Sequence, residues 1–295
     1  MYAGGNGTKE FPYKISDRNH FEHFLKSATG KRHLYYALLT DIQYETNVSI
    51  EDFDGNFDGN GYCISGIEYS FINDNKGTVD RLKLANGKIC RINNGLIRQC
   101  YSSHICDTNN SVINHCISSY KNVFTNNCAA SYGGICNVNS EQGRIEYCVF
   151  IGNISQTICL HDTYTGCVCS ENKGTIIKSL NVGNIQIKSY DSFANKQGGI
   201  CGYNYKTGIV SECVNVAKIE GNGSYTGGIS GKNIGTILHC LYNKNVNISA
   251  VGRMYNQGKD NVGITEYNLQ SKITSDMLNI WINKSDTFPY IIEKQ

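Results

Sequence analysis

Two short motifs, repeated in the same order along most of the chain, restrict its fold more than any other feature. The first reads Gly-x-Ile/Val-Cys/Ser-x-x-Asn. It stands at Gly87 (GKICRIN), Gly133 (GGICNVN), Gly166 (GCVCSEN), Gly198 (GGICGYN) and Gly227 (GGISGKN), with a degenerate copy, SHICDTN, at Ser103. The second reads Gly-x-Ile/Val-x-x-Cys and follows each copy of the first within a few residues. Its copies start at Gly95, Gly143, Gly208 and Gly235. SVINHC at Ser111 lacks the Gly, and GTIIKS at Gly174 carries Ser179 in the cysteine slot. The period is roughly 30 residues, with one copy of about half that near residue 100. A fixed period of this length points to a stacked array rather than a layered globule. Each unit consists of short β-prone runs punctuated by Gly and Asn, and helical periodicity is absent.

One such unit cannot bury its apolar face alone. Stacked on its neighbours at about 4.8 Å, it can, and equivalent side chains then line up along the axis. The expected fold is all-β: a single-stranded parallel β-helix, or solenoid, with an N-terminal cap that contains a short helix. Two columns can be read directly. One holds Cys90, Cys106, Cys136, Cys169, Cys201 and Ser230; the other holds Cys100, Cys116, Cys148, Ser179, Cys213 and Cys240. Together they take up ten of the 14 cysteines. For Ile97 and Cys100 both to point inward, a corner must lie between them, near Arg98 and Gln99, and again in every copy. Ile89 and Cys90 are adjacent, so a flat strand would turn one of them outward; the pattern does not choose which. The repeated Gly and Asn positions are expected to be turns, often with positive φ.

The ends read as covers for the solenoid, whose terminal strands would otherwise be open edges. Ser16 or Asp17 can cap a helix over about 17–28, with Phe21, Phe24 and Leu25 on one face. The resulting division is a cap over 1–70, repeats over 71–265 and a closing segment over 266–295, in which Met277, Leu278, Ile280 and Trp281 could seal the last coil.

Composition limits the function. Charged residues are 18% of 295 and the net charge is +2, which argues against a nucleic-acid footprint and against disorder. No run is long and apolar enough to span a bilayer. The N-terminus has neither a basic nor an apolar signal-like region, so the chain is either cytosolic or the mature part of an exported protein.

The candidate chemistry is sparse. The cysteine columns are read as packed thiols, with some disulfide formation as the alternative and metal ligation disfavoured. The run Asp52, Asp54, Asn56, Asp58 superficially suggests a calcium loop. Phe57 and Cys63 occupy the slots where an EF-hand needs Gly and Glu, so it is read as a turn framing Phe53 and Phe57. Glu146 and Glu212 are assigned to the same slot, two residues before the column cysteine; if that slot faces out they lie on one face but two coils apart, which disfavours a catalytic pair of carboxylates. His115 and His239 directly precede column cysteines and should point away from them, which disfavours a Cys–His nucleophile. No catalytic, metal or cofactor site is assigned. Tyr132, Tyr164, Tyr203, Tyr205 and Tyr225 lie near the Gly-rich turns and form a candidate binding face for sugar or protein.

FPYKIS at 11–16, LLTDI at 38–42, FDGNFDGNGYCISGI at 53–67, TFPYI at 287–291 and the GGICGYN, GIVSEC and NVAKIEG repeats resemble the GLUG-motif proteins. The likeness runs from about residue 8 to 292. It implies a right-handed parallel β-helix of the bacterial secreted or surface-attached type, whose repeats act as a non-catalytic scaffold or adhesive module. The reading of the whole is therefore a non-enzymatic, extracellular or cell-surface binding module. It would meet a protein or carbohydrate ligand, bind no nucleic acid, have no membrane span, and be a monomer rather than an oligomer. Two alternatives stand: a polysaccharide-cleaving enzyme on the same fold, and a cytosolically made phage or virion attachment component.

Overall fold

The computed structural model describes residues 1–252 except 47–48, 120, 127–130, 159–162, 190–194, 222–224, 244–246 and 248, together with 265–267. Cys128, Cys159, Trp281 and almost all of the expected closing segment lie outside the described residues.

The chain winds as a parallel β-helix with a three-sided body. One side stacks the first-motif strands, from Ile50–Phe53 through Lys88–Asn93 and His104–Asn109 to Ser230–Asn233. The next stacks the second-motif strands, from Tyr13–Ile15 through Leu96–Arg98 to Thr236–Leu238. The third runs from Ile42–Thr46 through Tyr101–Ser102 to Leu241–Asn243 and Thr265–Tyr267. All pairings are parallel, and equivalent motif positions stand directly opposite one another. Cys90 pairs with Cys106, Cys106 with Cys136, Cys136 with Cys169, Cys169 with Cys201 and Cys201 with Ser230.

Every described member of both cysteine columns is fully buried in one core that runs from Ile15 to Val251. Cys136 Sγ and Cys169 Sγ are 3.7 Å apart, in thiol–thiol contact. Burial in apolar surroundings pushes the thiols of Cys90, Cys116, Cys136 and Cys213 well up, so they stay protonated and unreactive.

The adjacent pair Ile89–Cys90 resolves in a way that flat-strand alternation excludes: both side chains are buried. The later coils show why. The amides of Ile135 and Cys136 both donate to the carbonyl of Val168, and those of Val168 and Cys169 both donate to that of Ile200. The chain bends between the two residues, so both face inward.

The corner expected near Arg98 and Gln99 recurs in each coil and falls on the residue just before the column position. Arg81, Gln99, His115, Tyr147, Lys178, Glu212 and His239 all have φ between 48° and 54°. None is Gly, although each left-handed residue of this kind costs on the order of 1–3 kcal/mol. The stack offsets the strain, because the corner amides from Arg81 to Glu212 are bonded to the next coil; Gln99 N donates to Asn114 O and Glu212 N to Leu238 O.

The repeated glycines have a different reason from the one expected. Those of the motifs lie outside the left-handed region, apart from Gly87. They are small because neighbouring backbone is too close: a Cβ on Gly198 would sit 2.0 Å from Cys201 O, and one on Gly95 would sit 2.1 Å from Gly77 O.

The last residue of the first motif also differs from a turn residue. Asn75, Asn93, Asn109, Asn139, Asn172, Asn204 and Asn233 are buried and bonded in series. Each Nδ2 donates to the Oδ1 of the next at 2.8–2.9 Å.

At the N-terminal end the helix Arg18–Ser27 covers the core. Asp17 caps it, accepting from His20 N at 2.8 Å. Phe21, Phe24 and Leu25 are buried, and Phe24 lies 4.8 Å from the Tyr36 ring and 5.0 Å from that of Phe57. The acids of the 52–58 run pair with cations of their own and neighbouring coils: Asp52 with Lys76, Asp54 with Arg32, Asp58 with Arg81. Phe53 and Phe57 between them are buried.

From residue 121 each coil gains an excursion, inserted at the corner between the third and first sides. Two further parallel sheets form it. One stacks Lys121–Asn126, Asn153–Ile158, Asn184–Ser189 and Ile219–Gly221; the other stacks Tyr132–Gly133, Thr163–Gly166, Asn195–Gly198 and Tyr225–Gly227. Phe150, Ile154, Cys167, Ile185, Ile187 and Ile219 give this lobe its own small core. Among the described residues before 119 no coil has such an excursion, so the lobe begins abruptly and leaves a step along the axis.

Candidate functional site

The lobe and the body meet along a strip of aromatic and cationic side chains. Register puts Tyr164, Lys196 and Tyr225 in one column of the lobe sheet. It puts Glu171, Tyr203 and Lys232 in one column of the first-motif side. The two columns touch, with the rings of Tyr164 and Tyr203 5.6 Å apart, and Tyr205 stacks on Tyr203 at 4.0 Å. Lysine ammonium groups cover the rings. Lys196 Nζ is 5.3 Å from the Tyr164 centroid and 5.6 Å from that of Tyr225; Lys232 lies over Tyr203 at 4.8 Å and Lys173 over Tyr205 at 5.0 Å. The attraction is that of a cation for the negative face of an aromatic ring. Tyr205 donates to Glu171 Oε2 at 2.8 Å, and burial, then Glu171, pushes its phenol well up, so it remains a donor.

Four of the five tyrosines singled out from the sequence, Tyr164, Tyr203, Tyr205 and Tyr225, thus come together. Tyr132 stands in register with Thr165, not Tyr164, and lines a cleft at the step. The faces of the four are occupied by lysines rather than left as an open aromatic plane. Sequence reasoning missed those lysines because they come from different coils, and their common side is visible only once register is known.

The step cleft is about 530 Å³. Lys88, His104, Asp107 and Asn137 line it together with Glu68, Tyr69 and Tyr132. Lys88 Nζ donates to Asp107 Oδ1 at 2.6 Å and Oδ2 at 2.8 Å. Asn137 Nδ2 donates to Asp107 Oδ1 at 3.2 Å, and Asn137 Oδ1 accepts from Gly133 N at 3.0 Å. No motif marks this group, since Glu68 and Asp107 are far apart along the chain.

Glu146 and Glu212 do not share a slot. Glu146 stands opposite Ile177, which stands opposite Ser211, so the Glu146 column reaches Ser211 and leaves Glu212 at the left-handed corner. His115 and His239 sit at the same corner; the His115 ring stacks on Tyr147 at 4.7 Å. Among the described residues no three of His, Cys, Asp or Glu converge as a metal set.

His104 is buried, with Nδ1 3.3 Å from Gly134 O. A carbonyl only accepts, so Nδ1 carries the proton. Burial pushes its pKa down from 6.5 to about 4; the Asp107 carboxylate opposes that and Lys88 adds to it. An unfolded chain takes up this proton near pH 6.5 and the folded chain only near 4, so between those values the unfolded state binds more protons. Stability should be intact above pH 6.5 and fall by about 3 kcal/mol as pH drops to 4. Urea unfolding of wild type and His104→Gln at pH 7, 5.5 and 4 checks this. The variant should lose that part of the slope, and parallel slopes would refute it.

The chain matches no family model and no curated protein. A crystallised protein from Bacteroides ovatus, described as a candidate immunoglobulin A1 protease, matches with a TM-score of 0.64 at 16% identity. The match covers 95% of this chain and 90% of that one. At such identity the likeness is one of fold, and the shared fold is the parallel β-helix.

Proposed function

We propose that this chain is a non-catalytic β-helix binding module of the extracellular or cell-surface type, kin to the GLUG-motif proteins. It presents the tyrosine–lysine strip to a surface ligand, carbohydrate or protein. The strip carries the reading: Tyr203 and Tyr205 hold Lys232 and Lys173 at set positions on one side of a stiff stack, and the buried Lys196 lies against Tyr164 and Tyr225 beside them. Ring-bound ammonium groups are pre-ordered, so a ligand meets charge and hydrogen-bond donors at little entropic cost. The double variant Tyr203→Ala/Tyr225→Ala should weaken capture on glycan and purified surface-protein arrays at least tenfold. Circular dichroism should be unchanged. Undiminished capture would end the proposal.

The polysaccharide-cleaving alternative gains from one observation, that Glu68 and Asp107 line the same cleft. Release of reducing ends from a bound oligosaccharide would favour it over the binding module.

A further inference from the structure

We infer that the step cleft is a saccharide site that binds a vicinal diol of a sugar ring between Lys88 and Asp107, with Tyr132 as the platform. This rests on the reading of the chain as a binding module and names the ligand class and a second place of contact.

The chemistry starts from the charged pair. Lys88 directs two of its three N–H donors at Asp107, one to each carboxylate oxygen. Asn137 donates to Oδ1 and is itself anchored on Gly133 N, so the carboxylate is held from two directions. Oδ2 accepts from Lys88 and keeps acceptor capacity on its other lone pair. A donor and an acceptor of opposite charge thus stand side by side in a cleft, their side chains 28% and 30% exposed. Two adjacent ring hydroxyls match that pair: one donates to Asp107 Oδ2 while its neighbour accepts from Lys88 Nζ. Hydrogen bonds to charged groups are the stronger ones, and both partners are already in place.

The walls fit the same ligand. Tyr132 and Tyr69 add aromatic lining of the kind that packs on the C–H face of a pyranose, and the volume lies within the range of small-ligand sites. Tyr132–Gly133 is also the first strand of its sheet among the described residues. The cleft exists because the excursion starts here. Register keeps the cleft apart from the tyrosine–lysine strip: Tyr132 stands in the column of the buried Thr165, and Asn137 lies between Cys136 and Val138, which pair with Cys169 and Glu171.

The probe is a printed array of neutral oligosaccharides, followed by calorimetric titration of the strongest binder. Asp107→Asn and Tyr132→Ala should each weaken that binder at least tenfold while circular dichroism and melting temperature stay unchanged. Asp107→Asn keeps the shape and removes the charge, so it separates recognition from packing. Affinity within twofold of wild type in both variants would overturn the cleft assignment, and so would an array with no binder. If only Tyr203→Ala/Tyr225→Ala loses affinity, the binding module stands and the cleft site falls. If neither set moves the affinity, both fall.

Discussion

Cys213→Asp is expected to destabilise the protein by about 4 kcal/mol or more, the largest effect of any single core change considered. Cys213 is fully buried in the second-motif column, with Sγ 3.2 Å from Ser211 O and 3.7 Å from Ile176 O. Both neighbours are acceptors, so a carboxylate there would face like partial charge without a cation. It would have to take up a proton, at a cost of roughly 3–5 pKa units, each worth about 1.4 kcal/mol. Cys213→Ser is the control and should cost no more than about 1 kcal/mol. The same column already holds a serine at Ser179, whose Oγ donates to Ile177 O at 3.2 Å, the same two-residue reach that Cys213 makes. Denaturant unfolding of the two variants is the measurement. Equal midpoints for Asp and Ser would mean that the column does not face the core.

The asparagine ladder supplies the second large effect. Asn172→Ala should cost about 3 kcal/mol, because it removes two ladder bonds, taking the ladder acceptor from one N–H of Asn139, which keeps its bonds to Gly143 O and Thr175 O, and the ladder donor from Asn204 Oδ1. Asn233→Ala should cost markedly less. Asn233 ends the ladder among the described residues, so only the bond from Asn204 is broken within it. The comparison tests the serial character of the ladder: equal losses at the two positions would show that the amides act one by one. Because a solenoid holds mainly by nearest-neighbour contacts, hydrogen exchange should show the loss centred on the coils beside residue 172.

Much of the body was legible in the sequence for one physical reason. A stacked array puts the same side-chain problem in every coil, so the solution repeats in the letters. The positions of Cys106 and Cys116 in the half-length coil follow from the motifs even though the spacing is irregular. The corner after Ile97 followed from requiring both Ile97 and Cys100 to be buried. Where the pattern was ambiguous, backbone geometry decided. Ile89 and Cys90 are both inside because the strand bends between them, which a two-residue alternation cannot express. The recurring glycines were visible, but their reason was not, since close backbone approach and positive φ select the same residue. The recurring asparagines look like turn residues in sequence, because a polar side chain buried in series cannot be told there from any other loop amide.

The sequence alone determined the stack: apolar and thiol positions recurring at one period cannot be buried except by neighbours carrying the same positions. Tertiary structure alone decided what the outside offers. Tyr164, Lys196 and Tyr225 meet, and Lys88 faces Asp107, only because register brings residues from different coils onto one side. The step exists only because the lobe begins partway along the axis. Core positions repeat because every coil must satisfy the same burial, whereas surface chemistry is under no such repeat and takes its meaning from which coil lies beside which.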